Sequence, residues 1–310
     1  MTSDANKPWL IAVWPGMGQV AVSAGYYLMA KLEMRALAEV AARELFDVEQ
    51  VEVKAGLIRA GKLPRSQFFI GKDPSGQRDI IVFIGESQPP LGKYSFCKKI
   101  LDFAAQSGVE RVFTFAAMAT NMHPQREPRV FAAATTPELL AELKQHGLQV
   151  LEEGQISGLN GILLGAAAEA GMNGGCLLGE MPHLFGGHPF PAAPLAILRK
   201  FAQLAGFELD LSELETEVES MNERLGELLA NTEQELKTGE SAEEPEEFEA
   251  PALEKKLTPQ QEREIDGLFL QAMKDKSKAY ELKQLLDRLG VFSDFEDRFL
   301  DLFKPGGNGE

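Results

Sequence analysis

Cysteine, tryptophan and histidine are scarce in this chain: two, two and four of 310 residues. Cys97 and Cys176 are the two cysteines, and they stand far apart in sequence. They fit a reducing compartment, where small buried thiols are ordinary core residues. No run of about 18 uncharged apolar residues occurs, so no membrane span is expected. The opening MTSDANKPWL lacks the basic-then-apolar order of a signal peptide, and a cytoplasmic location is expected. No segment has an excess of basic residues to neutralise phosphates, which argues against nucleic acid as a partner. A G-x-S-x-G elbow and a Cys/His pair of known catalytic spacing are also missing.

The acid excess is local. The net charge is −16, but residues 1–207 hold 19 acids and 19 bases, and residues 255–310 hold 11 and 10. Residues 208–254 hold 17 acids against Arg224 and Lys237 alone. The acidity therefore reads as one solvated helix face and linker, with docking of a basic partner as the functional alternative. Glycine is concentrated elsewhere. Ten glycines fall between Gly154 and Gly187, alternating with aliphatic residues, a pattern for tight turns and close packing.

From Trp9 to Phe207 buried runs alternate with helix-length amphipathic segments. Strands are expected at Leu10–Trp14, Ile80–Ile84, Arg111–Ala116 and Cys176–Gly179. Helices are expected at Val20–Leu32, Tyr94–Ala105, Pro137–Gln145, Leu159–Ala170 and Ala192–Leu204. Strands separated by helices of this length predict an α/β body over 1–207 with a mainly parallel sheet flanked by helices. Next comes an acidic coiled-coil-like helix over 208–237, with Leu211, Leu214, Val218, Met221, Leu225 and Leu228 in 3-4 spacing. These six are the candidate interaction residues, packing on the body or on another subunit. Residues 238–257 are expected to be a disordered acidic linker. A helical module fills 258–303, opened by the Thr258–Gln261 capping box with Pro259 at the first helical position, and 304–310 form a flexible tail. Phe292, Phe295, Phe299, Leu302 and Phe303 make that module too apolar to stand free.

Four segments invite a chemical reading. Gly16-Met-Gly18-Gln-Val-Ala21 has the G-x-G-x-x-A form of a dinucleotide-binding turn, with Glu39 near the expected ribose-binding position. The alternative is a strand-to-helix turn that needs close packing. Gly56 to Leu63 matches a phosphate loop up to Lys62 but lacks the Ser or Thr that would hold magnesium. Cys176, Glu180, His183 and His188 are metal-ligating types at no standard spacing, and no metal is expected. Glu86, just past a buried strand, could contact a ligand or act as an acid or base; otherwise it fixes the loop or caps a helix.

Three segments occurring together carry a family likeness. They are WPGMGQVA (14–21), GESQPPLGKYSFCKKILDFAAQSGVERVFTF (85–115), and ISGLNGILLGAAAEAGMNGGCLLGEMP (156–182) with FPAAPLAILRKFAQLAGFELDLSELE (190–215). In this order they resemble the proteasome assembly chaperone family over about residues 9–236. The resemblance implies a nucleoside-phosphorylase-like α/β fold without that chemistry, and a protein that associates with itself or a homologous subunit. Some bacterial relatives carry an ATP-grasp-like label, which no ATP-binding signature here supports. Relatives that dock on the proteasome use a C-terminal hydrophobic-Tyr-any tripeptide. This chain ends Gly306-Gly307-Asn308-Gly309-Glu310, so docking by that route is not expected. The reading is a non-enzymatic homo-oligomer without cofactor. It would bind a protein partner through the acidic helix or the C-terminal module, and its body would self-associate through apolar glycine-rich surfaces. The rival is a nucleotide- or small-molecule-binding enzyme using Gly16, Gly18, Ala21, Glu39 and Glu86.

Overall fold

The structure, a computed structural model, describes residues 7–48, 51–54, 56–238 and 257–304. The side chains of Arg43, Glu52, Lys54 and 226–238 lie outside this description, as do residues 239–256 of the expected linker and 305–310 of the expected tail. The first strand, β1 (Trp9–Val13), is buried on both faces. Its side chains alternate: Trp9, Ile11 and Val13 enter one apolar core, and Leu10 and Ala12 enter another, which Trp14 just past the strand joins. That period of two places β1 in the middle of a sheet covered on both sides.

Eight strands form that sheet: β1, β2 (Arg35–Glu39), β5 (Ser66–Lys72), β6 (Asp79–Gly85), β7 (Arg111–Thr120), β8 (Val130–Ala134), β9 (Gln149–Val150) and β10 (Asn173–Pro182). Their order is β2-β5-β6-β1-β7-β10-β8-β9. The central four, β6-β1-β7-β10, are parallel, whereas β5 and β8 join antiparallel. The remaining pair, β3 (Glu52–Lys54) and β4 (Leu57–Arg59), makes a separate hairpin.

On one face lie α2 (Lys93–Gln106) and α4 (Gly158–Glu169). On the other lie α1 (Val20–Lys31), α3 (Pro137–Gln145) and α5 (Ala192–Ala205). The start of α6 (Ser212–Thr238) buries Leu214 in the same core. A further layer covers α1: α7 (Pro259–Lys274), α8 (Ala279–Leu289) and α9 (Phe292–Asp301). Helix α1 has only one charge, Lys31, as a helix buried all round requires. Tyr27 stacks edge-on against Tyr280 at 4.5 Å, Tyr26 does the same against Phe299 at 5.4 Å, and the Ala36 N–H donates to the Phe303 carbonyl at 2.6 Å. The module predicted over 258–303 thus docks on the α/β body.

The mixed α/β layering expected from the sequence is present, with differences in extent. Strands β7 and β10 are longer than expected because they pair along ten residues each, past the apolar runs. The sequence reading missed β2, β3, β4, β5, β8 and β9. Strands β2 and β8 are alanine-rich, and alanine is a weak strand former. The phosphate-loop lookalike, Gly56–Leu63, supplies the hairpin strand β4, with Gly56 at φ +77° in its turn, and no helix follows it.

Part of the glycine-rich stretch is used inside the body, and part of it, including Gly165 and Gly171, is exposed. Strand β10 is buried from Gly174 onward. A Cβ at Gly161 would sit 1.9 Å from the Ile156 carbonyl oxygen, whereas a Cβ at exposed Gly165 meets nothing. Gly161→Ala is therefore expected to cost about 1–3 kcal/mol of stability through overpacking. Gly165→Ala should stabilise by roughly 0.5–1 kcal/mol through helix propensity. Urea denaturation of the two variants beside the parent checks both signs.

Candidate functional site

In open α/β sheets, ligands bind beyond the carboxyl ends of the parallel strands, near the point where strand order reverses. Here that point is β1, and its first loop is already filled. Gly18 has φ +60°, its N–H donates to the Gly186 carbonyl at 3.2 Å, and a Cβ on it would lie 2.8 Å from Met181 Cε. Gln19 also takes a left-handed φ of 54°, a conformation unusual for a residue with a side chain. Gly16 is extended ahead of the turn, and Ala21 is buried in α1. Glu39 lies on β2, separated from β1 by β5 and β6, about 14 Å at ordinary strand spacing. The fold does not bring Glu39 to the Gly16–Ala21 turn.

Glu86 faces another way. Its carboxylate accepts from the Arg65 backbone N–H at 2.7 Å and from Arg65 Nε at 2.8 Å. Arg65 then reaches α9, donating to Asp301 at 3.2 Å and pairing with Asp297 at 3.1 Å. Glu86 thus fixes a loop and, through Arg65, ties the C-terminal helices to the body. Nearby Gln88 accepts from the Leu159 N–H at 3.2 Å and caps α4.

The four metal-ligating candidates do not converge. Cys176 and Glu180 are four residues apart on one strand, about 13 Å by strand rise. Among the described residues no cluster of three or more such side chains could hold a metal. Burial pushes the Cys97 and Cys176 thiols up to about 12, so neither is a ready thiolate. Glu180 is fully buried, and its carboxylate accepts from Arg129 Nε at 2.8 Å, Thr120 Oγ1 at 2.8 Å and the Arg129 backbone N–H at 3.2 Å. The Arg129 guanidinium holds that carboxyl down at about 2, against the cost of burial. The sequence reading missed this cluster. Its only trace is the pair Arg126 and Arg129 in the β7–β8 connection, which becomes meaningful once β10 is known to lie between those strands.

A candidate docking concavity lies elsewhere. A cleft of about 890 Å³ opens between the turn after β10, α6 and α8. Phe185, Phe190, Met221, Leu225 and Tyr280 give it apolar walls. Its acids are held by neighbours: Glu217 accepts from Tyr280 Oη at 3.1 Å and Gln284 Nε2 at 2.9 Å, Glu213 pairs with Lys31, Glu281 with Lys278, and Asp287 with Lys283. Of the six candidate interaction residues, Met221 and Leu225 line this cleft. Leu211 and Leu214 are buried, Val218 and Met221 are partly covered, and half-buried Leu225 lines the cleft. The Leu228 side chain lies outside the described residues.

Comparison with known proteins agrees with this architecture. Residues 10–229 match the PAC2 family. The chain is 28% identical to PbaB, an archaeal proteasome activator from Pyrococcus furiosus, whose crystal structure superposes with a TM-score of 0.61 over 74% of this chain and 96% of that one. The uncharacterized protein MJ1210 of Methanocaldococcus jannaschii is 29% identical over 179 residues, 57% of this chain and 67% of that one. The proteasome-assembly chaperone homologue Rv2125 of Mycobacterium tuberculosis shares the fold, at a TM-score of 0.62 over 71% of this chain and 94% of that one, with 22% identity. No helix among the described residues is long and apolar enough to cross a membrane.

Because the Glu180 carboxyl is held at about 2 against an ordinary 4.5, its pairing stabilises the fold above pH 4.5 and is lost as pH falls toward 2. Glu180→Gln is expected to cost about 1–3 kcal/mol at pH 7, since the Arg129 and Thr120 donors lose their charged acceptor. The gap between variant and parent should close between pH 4.5 and 2, as followed by urea denaturation across that range.

Proposed function

The chain belongs to the PAC2 family, and on that footing we propose that it is a non-enzymatic, oligomeric protein-binding protein. In this reading its role is similar to that of its archaeal relative PbaB, a proteasome activator. The fold it would share with nucleoside phosphorylases carries over none of their chemistry. The observation that carries the proposal is the cleft between α6 and α8. Phe185, Phe190, Met221, Leu225 and Tyr280 form apolar patches within a lining that is otherwise polar, and its acids are held by neighbouring groups, an arrangement suited to seating a partner's apolar side chains inside a polar rim. Each apolar anchor of Leu or Phe size seated there would contribute about 1.5–3 kcal/mol before ordering costs.

Self-association is assigned to a different surface, the β3–β4 hairpin. Val53 and Ile58 oppose each other across its two strands and are 61% and 75% exposed, and Leu57 beside them is 71% exposed. A two-stranded hairpin is marginal in water on its own, and covering these side chains with a second copy would stabilise it.

Light scattering on the full chain tests the oligomer. The parent is expected at a multiple of the single-chain mass, and Ile58→Asp at the single-chain mass with unchanged far-UV circular dichroism. A parent that runs as one chain contradicts self-association. A photo-reactive residue in place of Leu225 tests the cleft. It should yield a covalent adduct with one defined host protein, and the same residue in place of exposed Lys144 should not.

A further inference from the structure

The contact between α9 and α1 holds a carboxyl group that pairs with no cation among the described residues. Glu296 is partly buried, and Tyr26 Oη donates to its Oε1 at 2.6 Å. The nearest guanidinium is committed elsewhere. Arg65 Nε goes to Glu86, Nη1 to Asp301, and Nη2 to Asp297 and to the backbone carbonyl of Glu296. Lys283, on α8, gives its Nζ to Asp287 and lies over the rings of Tyr26 and Phe292 at 5.3 and 4.7 Å. Lys62 pairs with Asp297. The groups facing Glu296 from the packed elements are therefore Tyr26 on α1, Arg65 before β5, Glu86 after β6 and Lys283 on α8. Each cation among them already holds another carboxylate, and Glu86 adds like charge. A partly buried carboxylate in that position is poorly stabilised, whereas the protonated group fits beside the Tyr26 hydroxyl.

We propose that Glu296 is a proton-operated latch: protonated, it seats α9 on α1, and ionised, it loosens α7–α9 and with them the α8 wall of the cleft. The latch stands on the α9–α1 contact alone, and only its consequence for a partner rests on the cleft being the docking site. Burial, with Glu86 adding to it, raises the Glu296 carboxyl up to about 7 against the pull of Tyr26, Arg65 and Lys283. Released to solvent, the group returns to its ordinary value of 4.5. Docking therefore takes up a proton between pH 7 and 4.5, so it strengthens as pH falls through that window and loses this contribution as pH rises through 7. The neighbouring Asp297 titrates below its ordinary range because of Lys62, so it does not oppose the effect within the window. Tyr26 stays protonated throughout, its hydroxyl pushed well up by burial and by Glu296.

Hydrogen exchange on the full chain reads the latch directly. After correction for intrinsic rates, and with β1 and β7 amides as internal reference, α8 and α9 should be protected roughly 25-fold more at pH 5.5 than at pH 8. Glu296→Gln, which mimics the protonated group, should show equal protection at both pH values. Tyr26→Phe removes the donor that favours the ionised form and should move the midpoint of the pH dependence upward. A parent without pH dependence, a Glu296→Gln protein that keeps it, or an unmoved midpoint in Tyr26→Phe overturns the proposal. None of these readings involves a partner, so failure of the latch and failure of the cleft to bind protein are separate results.

Discussion

Ten of the twelve residues of α1 are buried, so the side chains that point away from the sheet need a second cover. One side of the helix packs on the sheet beside α5, and the other is closed by α7–α9. Tyr26 and Tyr27 lie at that second junction, each stacked on aromatic rings of the C-terminal helices and each satisfying its hydroxyl there or on the chain entering α6. Without that layer the body would present a broad apolar face to water, at roughly 25 cal/mol for each Å² uncovered. The C-terminal helices lie outside the family match yet complete the core of the part that matches.

The same packing builds the cleft. Tyr280 stacks on Tyr27, and its hydroxyl donates to Glu217 on α6, so one side chain links α1, α6 and α8. The cleft wall is thus set by the core contact and not by a loop of its own. This links the fold to the proposed docking role: the surface that would hold a partner is as firm as the α1 contact behind it. The Arg65 bridge works at the other end, where Glu86 holds the guanidinium in place for Asp297 and Asp301.

The layering was legible in the sequence because it depends on local pattern. The β1 run, the proline-and-glycine punctuation of α3 and α5, and the Thr258 capping box each have a short-range physical cause. Strands β2 and β8 were not legible, because their residues become strands only by pairing with β5 and β10. Site chemistry was less legible still. The Gly16–Ala21 turn has the form of a nucleotide loop, but whether Gly18 faces a ligand or a methionine depends on Met181, far away in sequence. Glu86 was picked out from its place after a strand; its partner Arg65 was not, since the two meet only because β5 pairs antiparallel with β6.

The account requires that body and C-terminal helices form one cooperative unit. Differential scanning calorimetry of the full chain tests this most directly. The expected result is a single transition whose calorimetric and van't Hoff enthalpies agree. Two resolved transitions, with the C-terminal helices melting first, would contradict it.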